Sequence, residues 1–191
     1  MSLGFYYDQT SCIGCKACQV ACKDKNGLDM GVLFRRISDY EAGSYPAPGV
    51  FYISRSCNHC AAPACMASCP VEAISKTEDG VVLIDPAICN GCQSCVTACP
   101  YGIPVMLPST SVAGKCDSCI QLRESGEVNA CVGACSMRAL DFGELEELKG
   151  RHGGSMVDAL PPYLSDGGTG PSLVISPKQI ATRDGAAAMV Y

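Results

Sequence analysis

Sixteen cysteines fall into four groups of four, and this pattern constrains the 191-residue chain more than any other feature. Groups one and three share the spacing C-x2-C-x2-C-x3-C. The groups are Cys12, Cys15, Cys18 and Cys22; Cys57, Cys60, Cys65 and Cys69; Cys89, Cys92, Cys95 and Cys99; and Cys116, Cys119, Cys131 and Cys135. The chain has no tryptophan and only 6% aromatic residues. Its folding free energy is therefore expected to depend on cross-links or metal.

Three kinds of cysteine chemistry compete for this pattern. Disulfide scaffolds are typical of short secreted chains, whereas we expect no secretory signal here because residues 1–9 hold no basic segment and no long apolar run. Structural zinc usually takes two CxxC pairs with a longer spacer, and only group four resembles that arrangement. Three cysteines on one turning loop favour an iron–sulfur cluster, and in two-cluster ferredoxins the fourth cysteine binds the other cluster. The groups are therefore expected to work in pairs and to hold four clusters.

The segments around the cysteines predict short, local structure. Gly14 and Gly91 lie inside cluster loops, where a positive φ is least costly for glycine. Residues 4–8 predict a strand before group one, and residues 74–84 predict a β-hairpin with Asp79-Gly80 at its turn. The repeated unit is a strand, a cluster loop and a short helix. These features predict an α+β fold.

Charge and composition exclude several other functions. The net charge is −5 and the lysines and arginines are scattered, so no surface for nucleic acid is expected. The longest uncharged stretch, residues 86–114, contains four prolines and four cysteines and does not predict a transmembrane helix. Residues 167–170 match a phosphate-binding loop only loosely, since they lack G-K-[ST]. No nucleophile–base pair or paired-carboxylate motif appears, and no catalytic site is expected.

The two histidines have different expected roles. His59 lies between Cys57 and Cys60 and could bind iron, but the cysteine supply is complete. We therefore expect His59 to pack beside a cluster or to tune it by hydrogen bonding. His152 follows a predicted helix over residues 144–151 and is expected to be solvated near its end.

Several cations have two open interpretations. Arg35 and Arg36 either contact a partner subunit or form an exposed pair on a strand. Three lysines adjoin ligands and either offset cluster charge or are ordinary surface residues; they are Lys16, Lys23 and Lys115.

Several motifs together resemble a known family. They are Phe5 to Cys22, Phe34-Arg35-Arg36-Ile37, Ser56-Cys57-Asn58-His59-Cys60, Pro63-Ala64-Cys65, Cys99-Pro100-Tyr101-Gly102, Lys115-Cys116-Asp117 and Arg138-Ala139-Leu140-Asp141-Phe142-Gly143. With them the chain resembles the four-cluster, ferredoxin-like electron-transfer subunits of complex molybdopterin oxidoreductases, and most closely the iron–sulfur subunits of dimethyl sulfoxide reductases. The similarity covers nearly the whole chain.

The resemblance implies two bacterial-ferredoxin-like modules made of short β-hairpins, cluster loops and short helices, with long loops and an extended C-terminal tail. Module A would comprise residues 1–50 and 108–150, module B residues 51–107, and the linker and tail residues 151–191. The implied ligand sets of the four [4Fe-4S] clusters are Cys12, Cys15, Cys18 and Cys135 for cluster 1; Cys116, Cys119, Cys131 and Cys22 for cluster 2; Cys57, Cys60, Cys65 and Cys99 for cluster 3; and Cys89, Cys92, Cys95 and Cys69 for cluster 4.

The resemblance also implies a function and partners. The chain would be a non-catalytic electron-transfer subunit between a molybdopterin catalytic subunit and an electron donor or acceptor, such as a quinol-linked membrane anchor. It would lie in the cytoplasm or in a membrane-associated complex, including the outer face of the membrane by co-export with its catalytic partner. The alternative is a stand-alone polyferredoxin that carries electrons between several partners.

Overall fold

The computed structural model describes residues 2–161, 164, 167–182 and the backbone of 188–189. Ten strands lie in this part of the chain, and most are short. They are β1 (Leu3–Asp8), β2 (Arg36–Ala42), β3 (Gly49–Arg55), β4 (Ile74–Lys76), β5 (Val82–Ile84), β6 (Val105–Leu107), β7 (Val112–Gly114), β8 (Leu140–Glu144), β9 (Leu173–Ser176) and β10 (Ala188–Met189). The α+β class predicted from the sequence is confirmed.

The helices in the described residues are also short. They are α1 (Ala17–Lys25), α2 (Ala64–Ala67), α3 (Ser94–Ala98), α4 (Ile120–Glu124), α5 (Ala130–Gly133) and α6 (Leu145–His152), followed by a 3₁₀ turn at Gln179–Thr182. Helices α1, α2, α3 and α5 carry cysteines, and α4 begins directly after Cys119. None of the described helices has the length and apolar character that a membrane crossing requires.

The central sheet has the strand order β8-β1-β9. Strand β1 pairs antiparallel with β8 and parallel with β9. Phe5 and Tyr7 of β1 point into the core that also holds cysteines, whereas Tyr6 packs on the other face with Leu148 of α6 and Val174 of β9. Alternate residues of one strand thus bury both faces of the sheet. The pairing also brings the segment before group one beside the segment after group four.

A second sheet covers the cysteine-lined core from another side. Strands β2 and β3 pair antiparallel from Arg36 opposite Arg55 to Ala42 opposite Gly49, and β10 adds to the outer edge of β2. Phe51 and Ile53 on β3 are fully buried, and the Phe51 ring stacks on Tyr40 with the centroids 5.3 Å apart.

Two small hairpins frame groups two and three. Strands β4 and β5 pair antiparallel, and Gly80 in their connection has a φ of 88°. The hairpin predicted over residues 74–84 is therefore confirmed. Strands β6 and β7 form the second hairpin, which leads into group four.

The environment of His152 differs from the sequence expectation. Its ring stacks on Tyr6 with centroids 3.7 Å apart, and its Nε2 lies 2.9 Å from a carboxylate oxygen of Asp141. The side chain is 23% exposed. The prediction of a solvated histidine was wrong because the end of α6 folds back against β1 and β8.

Candidate metal centres

The cluster loops of groups one and three repeat the same backbone conformation. Gly14 and Gly91 have φ angles of 70° and 71°, and the residues before the following helices, Lys16 and Gln93, have φ angles of 63° and 65°. Each loop thus has two residues in the left-handed region at equivalent positions. They curve the backbone, so that successive cysteines of the loop can face a common centre. A Cβ atom at Gly91 would overlap the carbonyl oxygen of Ser111. Glycine is therefore needed there for space as well as for conformation.

Three cysteines of group one and one of group four share a cavity. Cys12, Cys15, Cys18 and Cys135 line the same cavity, and we call this set site one. The backbone N–H of Ala139 donates to Cys135 Sγ at 3.2 Å. Cys15 is exposed, whereas Cys18 is buried.

The remaining cysteine of group one lies among the other cysteines of group four. Cys22, Cys116, Cys119 and Cys131 are all buried and form site two. Helices α1 and α5 pack against each other here. Burial raises the pKa of Cys22 to about 11; Arg35 opposes this shift, and negative charge on Cys131 and Cys119 adds to it. The backbone N–H of Ser118 donates to Cys116 Sγ at 3.4 Å.

A second cavity holds three cysteines of group two and one of group three. Cys57, Cys60, Cys65 and Cys99 line this cavity, and we call this set site three. Burial raises the pKa of the Cys57 thiol, but its electrostatic interactions and hydrogen bonds with His59, together with the charge of Lys115, lower it to about 6. One thiol of this site is therefore poised to deprotonate near neutral pH, as ligation of a metal requires.

The last four cysteines gather where α2 and α3 pack together. Cys69, Cys89, Cys92 and Cys95 form site four. Burial raises the pKa of Cys95, and negative charge on Cys89, Cys69 and Cys92 raises it further. The N–H of Ala113 donates to Cys89 Sγ at 3.5 Å. Cys92 is exposed, and a hydrogen bond with Ser94 lowers its pKa.

His59 is fully buried beside site three and has a defined orientation. The backbone N–H of Val82 donates to His59 Nδ1 at 3.0 Å. Because Nδ1 accepts this bond, the proton of the neutral ring lies on Nε2. Nε2 has no hydrogen-bond partner in the described part of the protein. The histidine therefore presents a buried donor next to Cys57, in keeping with the packing and tuning role expected from the sequence.

Of the three lysines beside the cysteines, Lys16 and Lys23 bind groups outside the cysteine sites, whereas Lys115 is buried at one of the sites. Lys16 forms an ion pair with Asp39 at 3.1 Å, and Lys23 donates to backbone carbonyls, including Leu28 O at 2.8 Å. Lys115 is buried; it lines the cavity of site three and donates to the carbonyl oxygens of Val82 and Cys116.

Arg35 differs most from its sequence expectation. The sequence suggested a partner contact or an exposed strand pair, but the side chain is only 3% exposed. It enters the core just before β2, whereas Arg36 is exposed. The prediction of an exposed side chain was therefore wrong for Arg35 and right for Arg36. The alternation of a strand could have suggested that one of two adjacent arginines points inward.

The donor sets fit iron–sulfur clusters. Each site offers four thiols, and backbone amides donate to a sulfur in sites one, two and four. Buried donors without a partner among the described residues, Arg35 Nη2 and His59 Nε2, lie in the same regions. Within those residues no three His, Cys, Asp or Glu side chains gather around one metal ion. A cubane does not require this, since each of its cysteines binds a different iron.

Comparison with known proteins identifies two matching families. The 4Fe-4S dicluster domain family matches residues 49–145, about half of the sequence. The 4Fe-4S binding domain family matches residues 3–24.

Individual relatives match over nearly the full length. The protein is 41% identical over 192 residues to the B subunit of the anaerobic dimethyl sulfoxide reductase of Haemophilus influenzae, covering 95% of this sequence and 92% of the relative. It is 41% identical over 182 residues to the corresponding subunit of Escherichia coli K12, covering 91% and 88%. It is also 37% identical over 147 residues to protein NrfC of Escherichia coli K12, covering 75% and 66%.

The cysteine content and these matches establish that the protein holds multiple [4Fe-4S] clusters and serves electron transfer. It belongs to the family of 4Fe-4S dicluster proteins that includes the B subunits of the anaerobic dimethyl sulfoxide reductases.

Proposed function

We propose that the protein holds four [4Fe-4S] clusters, one in each of sites one to four, and connects a catalytic subunit to a separate electron donor or acceptor. When bound, such clusters take up and release single electrons. The observation that carries the proposal is the common lining of one cavity by Cys12, Cys15, Cys18 and Cys135, which come from two distant groups. The cavity of site three repeats this pairing with groups two and three.

The proposed order of the four sites is one, two, three, four. Cys18 of site one lies near Cys131 of site two, because negative charge on Cys131 contributes to the raised pKa of the Cys18 thiol. Negative charge on Cys57 of site three likewise contributes to the raised pKa of Cys116 in site two, so these two cysteines also lie close together. Sites three and four share a small apolar cluster that includes Cys65 and Cys95. Each site thus has a close neighbour in the next.

The burial of the cysteines supports a path that is open at its two ends. All four cysteines of site two are buried, and so are Cys57 and Cys65 of site three. Exposed cysteines occur at Cys15 in site one and Cys92 in site four. The two inner sites are thereby more shielded from water than the outer sites, which lie within reach of other proteins.

Apolar residues beside the exposed cysteines support docking at these ends. Ile13 and Met137 line site one and are 54% and 43% exposed, and Ile88, next to Cys89 in site four, is 50% exposed. Exposed apolar groups around a functional site are typical of surfaces that bind other proteins.

The proposed partners are a molybdopterin catalytic subunit at one end and a quinol-linked membrane anchor at the other. The similarity to the B subunits of dimethyl sulfoxide reductases supports this assignment. Complete ligation by four cysteines leaves no open iron position for a substrate. The protein would therefore be non-catalytic. It would lie in a cytoplasmic or membrane-associated complex, including one at the outer face of the membrane that is reached by co-export with its catalytic partner.

The test is anaerobic purification of the tagged protein from its native host. We expect about sixteen iron atoms per chain, four per cubane, and a large subunit in a one-to-one ratio. Ile13→Glu should weaken capture of one partner at unchanged iron content. Met30→Glu is the matched control, because Met30 is 96% exposed and lines neither cysteine cavity. A protein that contains all of its clusters but purifies as a monomer would instead favour the stand-alone polyferredoxin. A colourless protein would contradict both the subunit and the polyferredoxin.

A further inference from the structure

The guanidinium of Arg35 is a permanent positive charge in the protein interior. It is 3% exposed, and no carboxylate in the described ranges forms an ion pair with it. An unpaired charge buried in this way is strongly destabilising unless nearby groups compensate it. The compensating groups must therefore lie among its neighbours in the core.

The neighbours of Arg35 hold the side chain in one orientation. Nη1 donates to Ser54 Oγ at 2.8 Å, and Cζ lies 4.6 Å from the centroid of the Phe5 ring. Ser54 itself lines the cavity of site one. Nη2 is buried and has no hydrogen-bond partner in the part of the protein that the structure describes. One charged N–H group thus remains available as a donor.

In their thiolate form, as cluster ligands, cysteines of two different sites compensate the charge of Arg35. Burial alone would lower the pKa of the guanidinium, but negative charge on Cys131, Cys116, Cys18 and Cys22 raises it above its usual value. Cys18 belongs to site one, and the other three belong to site two. Arg35 therefore lies between the two sites and interacts with both.

Resting on the proposed function, we propose that Arg35 is a positioning residue that holds one positive charge between sites one and two and raises the reduction potentials of both clusters. A cubane of formal charge about +2 held by four thiolates leaves a net charge of about −2 at each site. Each reduction adds one electron and forms or breaks no bond. A fixed positive charge in a medium of low dielectric constant makes that addition more favourable.

Lys115 makes sites three and four a suitable internal reference. Lys115 lines site three, and a substitution of Arg35 does not remove its positive charge. The charge removed with Arg35 should therefore be felt at two of the four clusters and much less at the other two.

The experiment is a mediator-controlled redox titration of the anaerobically purified full-length protein, followed by EPR. In Arg35→Gln, the reduced-to-oxidised ratio of two clusters at the parental midpoint should fall at least tenfold, which is a shift of 59 mV for one electron. Arg35→Lys keeps the charge and should shift the same clusters by less than half as much. Arg36→Gln is the matched control, because Arg36 is the exposed neighbour, and it should shift none.

Three results would overturn the inference. They are unchanged potentials in a fully loaded Arg35→Gln protein, equal shifts in all four clusters, and equal shifts in Arg36→Gln. If the Arg35→Gln protein does not acquire its clusters, the Arg35→Lys protein decides the question. Normal cluster content in Arg35→Lys supports a role of the positive charge, and loss of clusters in Arg35→Lys assigns Arg35 to packing alone. The iron content of the parental protein tests the proposed function separately.

Discussion

Gly91 offers a sharp test of how the cluster loops are built. It lies between Cys89 and Cys92, both in site four, and its φ is 71°. A Cβ atom there would overlap the carbonyl oxygen of Ser111, a backbone atom that cannot rotate away as a side chain can. The perturbation is Gly91→Ala. Its control is Gly126→Ala, since Gly126 has a φ of 78° and open space around the position of a Cβ.

The two substitutions share one energetic term and differ in another. An L-residue in the left-handed region costs about 1–2 kcal/mol, and both variants carry this cost. Overlap in a packed region adds about 1–3 kcal/mol, which applies to Gly91→Ala alone. The difference of about 1–3 kcal/mol corresponds to about a 5- to 150-fold larger population of the opened loop, at 1.4 kcal/mol for each factor of ten.

The assay is the rate at which an iron chelator removes cluster absorbance from the anaerobic protein. We expect Gly91→Ala to lose one cluster faster than Gly126→Ala by about that factor of 5 to 150, because the loop must open before iron is removed. If site four no longer holds its cluster at all, the purified variant should contain about twelve iron atoms instead of about sixteen. Equal rates and equal iron in the two variants would refute the steric reasoning.

Two further substitutions test individual contacts. Cys92→Ser removes a thiolate from site four and should convert or destroy one cluster while the protein still assembles. Iron and sulfide analysis measures this loss, and a variant with the same iron content as the parental protein would contradict the ligand assignment. His59→Phe leaves the Val82 N–H without its acceptor and should lower the stability of site three by about 1–3 kcal/mol, measured by denaturant-induced cluster loss. His152→Phe makes the same chemical change where the ring is partly exposed and should have a smaller effect; equal effects would argue against a special role of His59.

The features that could be predicted from the sequence are those set by local residues. The hairpin of β4 and β5 follows from two short apolar runs around Asp79-Gly80, and both positive φ angles of the glycines in the cluster loops follow from the spacing of their cysteines. These elements depend on a few neighbouring positions, so the pattern of side chains and glycines is sufficient to specify them.

The features that were missed depend on contacts between distant parts of the sequence. The burial of Arg35 depends on Phe5 and on cysteines of two groups, and the stacking of His152 depends on Tyr6. Val174 and Ile175 lie in the segment that was expected to be linker and tail, but they form part of β9 and pair in parallel with β1. Nothing in the local sequence shows which strand will lie beside them.

The position of β1 at the centre of its sheet has a consequence for the order of assembly. Its antiparallel partner, β8, follows group four, so site one can gather Cys18 and Cys135 only after most of the protein has been synthesised. Site three needs only the shorter segment from Cys57 to Cys99. Because closing a longer loop loses more conformational entropy and slows folding, we expect the segment of groups two and three to acquire its clusters first. The terminal segments would then close around it, and insertion of iron into sites one and two would be the last step of maturation.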